Sequence, residues 1–109
     1  MQGSKDARIV LVTCGSRAEA RKVAEAVVAK GIAACATIVS TAIESVYRWE
    51  GKVQRAREFQ LVIKTRAARL EALEAQVTRL HSYDVPEILV LSVSAGSRKY
   101  LEWLKSSTR

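Results

Sequence analysis

The chain has 109 residues, of which 49% are hydrophobic and 27% charged, and its formal net charge at pH 7 is +7. This length suits one domain, so we treat residues 1–109 as a single unit in which residues 1–7 form a flexible N-terminal tail. No apolar run approaches the roughly 20 residues of a membrane-spanning helix, and we expect no membrane partner.

The two cysteines, Cys14 and Cys35, are too few for a disulfide framework and predict free thiols in a reducing cytoplasm. The first eight residues, MQGSKDAR, lack the apolar region of a signal peptide. Cys35 lies in an apolar run, where a thiol usually behaves as a small hydrophobe. Cys14 precedes a predicted helix, whose N-terminus would stabilise a thiolate.

The first predicted element is the strand Arg8–Cys14, a nearly continuous apolar run of the kind found in the middle of a sheet. Ser16 and Glu19 then form a capping-box pattern, with Ser at the N-cap and Glu at N3. Apolar residues recur at helical spacing until Lys30-Gly31, a pair that is typical of a helix end.

The longest predicted element is a β-hairpin from Ile32 to Thr65 that turns at Glu50-Gly51. Each arm would span on the order of 60 Å, whereas a compact chain of this size has a radius of gyration of about 13 Å. The hairpin must therefore bend sharply or project. Tyr47 and Trp49 near its tip are apolar groups that predict a contact with another subunit.

A tight turn without a bulge fixes the register of this hairpin, because each residue pairs at equal distance from Glu50-Gly51. Thr37 then lies opposite Lys64, and Ile43 lies opposite Glu58. One face carries Cys35, Thr37, Tyr47, Trp49, Glu58 and Lys64. A single bulge would exchange the two faces. Glu58 and Lys64 also fit a plain surface ion pair on a solvent-facing strand.

The remaining elements are a helix from about Arg66 to Leu80, a strand Ile88–Val93 and a terminal helix beginning at Gly96-Ser97. The order βαββαβ plus a last helix predicts an α+β fold of ferredoxin-like type with a long central hairpin. In that arrangement two helices cover one face of an antiparallel sheet, and the first and third strands are central neighbours. The fold alone implies no function.

The loop His81–Glu87 is chemically the richest segment, with an imidazole, a phenol and two carboxylates at a helix-to-strand junction. His81 could bind a transition metal or transfer a proton, and an enzyme that pairs it with Glu58 or Glu87 fits as well. The alternative is a histidine that caps the C-terminus of the preceding helix.

A basic concentration spans residues 48–57, where Arg48, Lys52, Arg55 and Arg57 are opposed by Glu50 alone. Such a patch could meet nucleic acid or another anion. A hairpin tip kept soluble by its charge explains the same pattern. Because no nucleic-acid-binding motif accompanies it, we expect no specific nucleic-acid partner.

Several motifs in order produce a resemblance to a known family. They are Ile32-Ala33-Ala34-Cys35, Tyr47-Arg48-Trp49-Glu50-Gly51-Lys52, Glu58 with Ile63-Lys64-Thr65, His81-Ser82-Tyr83-Asp84-Val85-Pro86-Glu87-Ile88, and Tyr100-Leu101 with Trp103. From about Ile9 to Leu104 the chain resembles the CutA family of divalent cation tolerance proteins.

The resemblance implies a cytoplasmic homotrimer of ferredoxin-like subunits whose long hairpins complete one another's sheets. It implies tolerance to divalent cations, with copper binding in some members, and no established enzymatic activity or obligatory cofactor. It also implies clefts between subunits, which in similar trimers bind small anions.

Carried over by position, the resemblance implies a metal ligand at His81. The residues that it implies for the ligand cleft are Cys35, Thr37, Trp49, Glu58, Lys64, Tyr83 and Glu87. Leu80 stands where copper binding has been linked to a second His, and Val12 stands where some members have Cys. Thr37 and Ser82 replace a common Asn and Pro. Since one imidazole alone seldom holds copper(II), we expect a weak metal site or a small-ligand site.

Overall fold

The core lies between one face of a five-stranded antiparallel sheet and two helices, so the fold is of mixed α+β type. The structure is a computed structural model that describes all residues, 1–109. The strands are β1 (Gln2–Gly3), β2 (Ala7–Cys14), β3 (Cys35–Ile38), β4 (Ile43–Trp49), β5 (Lys52–Arg66), β6 (Ile88–Ser92) and β7 (Ala95–Gly96). The helices are α1 (Arg17–Ala29), α2 (Leu70–Leu80) and α3 (Arg98–Ser106), and one 3-10 turn (Ala67–Arg69) precedes α2.

The strand order of the large sheet is β3-β5-β2-β6, and β4 extends the pairing along the outer half of β5. The first and third predicted strands, now β2 and β5, are central neighbours as expected. Residues of one parity face the helices and are fully buried, among them Val10, Val12, Leu61 and Ile63. None of the helices is long and apolar enough to cross a membrane.

The other sheet face is apolar and only partly covered. We call it the open face, and it carries Ile9, Leu11, Val62, Leu89 and Leu91. Leu89 is 57% and Leu91 is 48% exposed. Helix α3 covers one end of this face, where Leu104 packs on Ala7 and Ala34. Large aliphatic side chains thus remain in contact with water on a single chain.

The hairpin turns at Glu50-Gly51 as predicted, because both residues adopt positive φ (49° and 77°) and Trp49 pairs with Lys52. Glycine accepts this conformation without strain. The first arm is not one strand: it begins at Cys35 rather than Ile32, and residues 39–42 separate β3 from β4. The molecule measures 44 Å along its longest axis, less than the roughly 60 Å expected for one arm, because its longest strand, β5, has only 15 residues.

The predicted register is right for the outer half of the hairpin and wrong for the inner half. Ile43 pairs with Glu58, but Cys35 pairs with Lys64 and Thr37 with Val62. The cause is the segment 39–42, which lies opposite only residues 59 and 60. Because side chains alternate with a period of two, a mismatch of two residues leaves each side chain of the hairpin on its predicted face.

The first seven residues differ from the flexible tail that was expected. Gln2–Gly3 pair with Ala95–Gly96, and the Ser4 amide donates to the Ser94 carbonyl at 2.9 Å. Ala7 already belongs to β2 and is buried.

Candidate functional site

A cleft of about 660 Å³ opens between the hairpin and the loop that follows α2. Alternation along β4 places Ser45, Tyr47 and Trp49 on the face that borders this cleft. The complete lining is Thr13, Ser45, Val46, Tyr47, Trp49, Glu58, Tyr83, Asp84, Val85, Pro86 and Glu87. We call it the hairpin cleft.

The floor of the hairpin cleft is a hydrogen-bonded pair. The Tyr83 hydroxyl donates to Glu58 Oε2 at 3.0 Å, and Glu58 is only 7% exposed although it lies on a strand that points into solvent further out. Burial, and after it the hydrogen bond to Glu58, raises the pKa of Tyr83 to about 12. The phenol therefore keeps its proton at neutral pH and remains a donor.

His81 lies directly behind this pair, and its side chain is fully buried. Its Nε2 is 2.7 Å from the Thr13 carbonyl, and its Nδ1 accepts from the Tyr83 amide at 3.1 Å. Since the carbonyl can only accept, Nε2 carries the proton and the ring is the neutral Nε2–H tautomer. His81 is the C-cap residue of α2, as the alternative interpretation expected, and its backbone amide donates to the Val77 carbonyl. Its side chain fastens this end of the helix to β2.

Glu19 and Cys14 complete a group around this imidazole. One ligand atom each from Cys14, Glu19 and His81 lies within 4.8 Å of the others, and we call these residues the buried donor cluster. Glu19 Oε1 accepts from the Ser82 amide at 2.8 Å. Its Oε2 is buried without a hydrogen-bond partner, 3.9 Å from His81 Nδ1.

The expected thiolate at Cys14 is a wrong prediction. Burial, reinforced by the negative charges of Glu19 and Glu58, raises the pKa of this thiol to about 12. Cys14 is completely buried, so desolvation outweighs the N-terminus of α1. It is a neutral thiol at physiological pH.

The capping box of α1 forms only in part. Ser16 Oγ accepts from the Glu19 amide at 3.1 Å, as predicted for the N-cap. The Glu19 side chain reaches the loop at Ser82 instead of returning to the N-cap. This redirected carboxylate is what brings a negative charge beside His81.

The predicted cleft residues divide into two groups. Trp49, Glu58, Tyr83 and Glu87 line the hairpin cleft, whereas Cys35, Thr37 and Lys64 lie further along the same sheet face. Lys64 is six residues beyond Glu58 on β5, which is roughly 20 Å. The surface ion pair of these two residues is therefore a wrong prediction.

The second group has contacts of its own. Lys64 Nζ donates to Thr37 Oγ1 at 2.6 Å and to the Val62 carbonyl at 2.9 Å. Cys35 Sγ lies 3.8 Å from Thr37 Oγ1. Tyr100 of α3 is close enough that Cys35 contributes, after burial, to raising the pKa of its phenol. This arrangement leaves Lys64 as a solvated cation with two of its donors already used.

The same alternation divides the basic residues of the hairpin between its two faces. Arg48 pairs with Val53 and lies on the face opposite Trp49, together with Arg55 and Arg57. Lys52 alone shares the face of Trp49, beyond the cleft at the tip. The charged side chains that line the cleft are all carboxylates: Glu58, Asp84 and Glu87.

Sequence reasoning missed Cys14 and Glu19 as neighbours of His81. Both lie within a few residues of where β2 gives way to α1, and α2 ends at the same edge of the molecule. The one available signal was Glu19, because Ser16 alone can cap α1 and the Glu19 carboxylate is then free to contact another segment. Thr13 and Ser45 line the cleft without any signal of their own in the sequence, whereas Asp84 is one of the two carboxylates of the loop His81–Glu87 noted above.

Comparison with known proteins assigns the chain to a family. Residues 8–107 match the family model described as CutA1 divalent ion tolerance protein. The chain is 52% identical to Protein CutA, chloroplastic, of Arabidopsis thaliana over 101 residues, which are 93% of this chain and 55% of the relative. It thus spans about half the length of that plant protein.

Bacterial and rice proteins extend the likeness to the fold. The chain is 41% identical to the divalent-cation tolerance protein CutA of Thermus thermophilus, over 92% of this chain and 96% of that one. A solved structure of the Thermus protein superposes with a TM-score of 0.92 at 40% identity, covering 94% of this chain and 99% of the other. The structure of CutA1 from Oryza sativa gives the same TM-score at 46% identity, covering 95% and 94%. The chain belongs to the CutA1 family of divalent ion tolerance proteins.

Proposed function

We propose that this member of the family is a non-enzymatic divalent-cation tolerance protein that binds a cation such as copper weakly, as a cytoplasmic homotrimer of ferredoxin-like subunits. The observation that carries the metal part is the buried donor cluster. Its Glu19 Oε2 is buried and unpaired, 3.9 Å from the imidazole of His81. An unpaired buried carboxylate oxygen destabilises the fold, and a cation beside it would remove that cost.

The chemistry of the three donors fits a borderline or soft cation. Imidazole, carboxylate and thiolate are ligands that copper and zinc accept in proteins. His81 and Glu19 would hold the ion, and Cys14 would add a sulfur ligand after losing its proton. The bound ion would supply the positive charge that the cluster lacks.

Two features support weak rather than tight binding. His81 Nδ1 already accepts a hydrogen bond from the Tyr83 amide, which an ion would have to replace. The Cys14 thiol holds its proton with a pKa of about 12, so coordination of the thiolate must first expel that proton.

The metal proposal is tested by copper(II) titration of the unmodified protein, Glu19→Gln and His81→Ala, with Glu25→Gln as the control. Glu25 is an exposed carboxylate on the same helix as Glu19. We expect Glu25→Gln to bind like the unmodified protein and the other two variants to lose binding. Glu19→Gln keeps the shape of the side chain, so its result does not depend on a change in folding. Unchanged binding in both site variants would refute the metal proposal.

The trimer is supported by the open face. Leu89 and Leu91 are about half exposed and continue an apolar surface over β2 and β5. A monomer rarely leaves such a face to water, whereas contact with further copies would bury it. The strand order β3-β5-β2-β6, with α1 and α2 packed on one face, supports the ferredoxin-like description.

Light scattering tests the assembly. We expect three times the 12.0 kDa mass of the chain, and a smaller mass for Leu91→Lys because a buried lysine without a partner is costly. Val28→Lys is the matched control, since Val28 is an aliphatic residue of α1 with 41% exposure. A mass of 12.0 kDa for the unmodified protein would exclude the trimer.

The non-enzymatic character, the cytoplasmic location and the choice of a cation over an anion have separate support. Both ring nitrogens of His81 are engaged by backbone groups, which argues against its use as a general base. Cys14 and Cys35 are free thiols, as in proteins of reducing compartments. The charged side chains that a small anion would meet in the hairpin cleft are all carboxylates, and the cations on that sheet face, Lys52 at the tip and Lys64, lie outside the lining.

A further inference from the structure

The outer half of the hairpin is attached to the rest of the sheet by very little backbone pairing. Residues 59–66 of β5 pair with β2, whereas residues 52–58 pair with β4 alone. The first arm is interrupted between β3 and β4 by residues 39–42, which we call the hinge segment. The outer half is therefore a two-stranded ribbon that joins the rest of the sheet through one continuous strand and one irregular segment.

Arg17, the first residue of α1, contacts the hinge segment directly. Its Nη2 donates to the Ser40 carbonyl, and its Cζ lies 5.4 Å from the centroid of the Phe59 ring. Phe59 is one of the two β5 residues that lie opposite the hinge segment. A planar guanidinium suits both partners, because it packs over a ring while its N–H groups donate in the plane. We call Arg17, Ser40 and Phe59 the hinge contact.

A second contact holds the hairpin at the same level from its other side. The Tyr83 hydroxyl donates to Glu58 Oε2 at 3.0 Å. Because Glu58 and Phe59 are consecutive residues of β5, their side chains project from opposite faces. Each contact resists movement of the outer half away from its own side, so together they fix the angle of the outer half.

The two contacts differ in exposure. Glu58 is buried, whereas Arg17 and Ser40 are exposed. None of the ion pairs of the molecule includes Arg17, and the group that accepts its hydrogen bond is a neutral carbonyl. Water competes for such an exposed hydrogen bond, so the hinge contact opens more easily than the buried contact of Tyr83 with Glu58.

We propose that the hinge contact is a conformational device that sets the width of the hairpin cleft. Arg17 holds the outer half of the hairpin at one angle, and loss of its contact lets the outer half rotate as a unit about the hinge segment. Tyr47 and Trp49 of the outer half form one wall of the cleft, and the loop after α2 forms the other. Arg17 is absent from the lining and is a positioning residue. The device requires neither a bound metal nor a partner subunit.

Amide hydrogen exchange, followed by NMR in metal-free Arg17→Met, tests the release of the hinge segment. Methionine keeps an unbranched apolar side chain but removes the donor and the charge. The reporter is the Val39 amide, which donates to the Gln60 carbonyl at 2.9 Å. We expect this amide to exchange about tenfold faster, the effect of losing one hydrogen bond from a charged donor. Amides within the ladder of β4 and β5 should keep their rates, because the outer half moves as a unit.

Residual dipolar couplings of the backbone amides measure the angle itself. In the unmodified protein, the couplings of β4 and of β2 should fit one common orientation. In Arg17→Met, we expect the couplings of β4 to be reduced or to require a different orientation, while those of β2 stay the same. Arg17→Lys restores a charged donor without the planar group and should give an intermediate result. Arg21→Met removes another exposed arginine of α1 and should match the unmodified protein.

Each contrary outcome has a definite meaning. Unchanged couplings of β4 in Arg17→Met would show that the outer half keeps its angle without the hinge contact, and the proposal would be wrong. Faster exchange throughout β4 would also overturn it, since the variant would then fray the ribbon instead of releasing it. An equal effect of Arg21→Met would assign the change to net charge. The readouts come from metal-free protein and from within one chain, so they are separate from copper binding and from the mass of the assembly.

Discussion

The Tyr83 hydroxyl donates to the Glu58 carboxylate at 3.0 Å and thereby joins the loop after α2 to the outer half of the hairpin. The backbone amide of the same tyrosine donates to His81 Nδ1. One residue thus connects the floor of the hairpin cleft with the buried donor cluster. The hairpin cleft and the buried donor cluster are therefore adjacent.

Tyr83→Phe should lower the free energy of unfolding by about 1–2 kcal/mol, because the buried Glu58 carboxylate loses its donor. Urea unfolding followed by circular dichroism measures the effect. Tyr100→Phe serves as the control, since the hydroxyl of Tyr100 makes no hydrogen bond within the chain and this residue is similarly exposed. An equal loss in both variants would show that the hydrogen bond to Glu58 contributes nothing specific.

Glu19→Gln should leave stability unchanged or raise it by up to about 1 kcal/mol in metal-free protein. The substitution removes a buried charge whose second oxygen is unpaired, while the amide oxygen can still accept from the Ser82 amide. Thermal unfolding in the presence of a chelator measures the difference, with Glu25→Gln as the reference. A loss of several kcal/mol would mean that the carboxylate stabilises the neighbouring imidazole, contrary to our interpretation of the cluster.

Alkaline pH should destabilise the metal-free fold. The pKa of Cys14 is raised from 9.0 to about 12 in the native protein, so between these values the unfolded chain releases a proton that the native state retains. The stabilising contribution of the protonated Cys14 thiol is complete below pH 9 and is lost as the pH rises through about 12. Tyr83, raised from 10.0 to about 12, acts in the same direction.

The slope of stability against pH is measured by urea unfolding at several values above pH 8. Cys14→Ala should reduce this slope although it lowers stability overall, because a small cavity replaces the thiol. Cys35→Ala should keep the slope of the unmodified protein. If both variants retain it, Cys14 is not the titrating group.

Nucleic-acid binding, where it occurs, should be independent of sequence and sensitive to salt. Arg48, Arg55 and Arg57 share one exposed hairpin face and offer phosphate contacts without a base-reading element. Three such contacts predict a slope of about −2.7 for log K against log salt. Fluorescence anisotropy with two unrelated duplexes tests this. A sequence-selective complex that persists at high salt would contradict it.

Much of the fold follows from local signals in the sequence. Glycine at a tight turn and alternating residues predict the pairing of Trp49 with Lys52 and of Ile43 with Glu58. The break at 39–42 was not predictable, because Val39-Ser40-Thr41-Ala42 contains neither Gly nor Pro and its residues suit a strand. The ends of the chain were also hard to predict, since a two-residue strand such as Gln2–Gly3 has no periodicity.

The candidate site was predictable to the extent that one strand or loop determines it. Glu58 and Trp49 share a face by alternation, and Tyr83 and Glu87 belong to one loop. The meeting of Cys14, Glu19 and His81 depends on how α1 and α2 pack beside the end of β2. Such packing is a tertiary property, and the capping pattern at Ser16 gave Glu19 a sufficient local role.

The two extra residues between β3 and β4 limit which length changes this hairpin tolerates. An insertion or deletion of two residues there would leave Glu58, Trp49 and the arginines on their present sides. A change of one residue would reverse the faces of β4 relative to the continuous strand β5. Tyr47 and Trp49 would then leave the face that carries Glu58. Length variants that keep the cleft should therefore differ in steps of two.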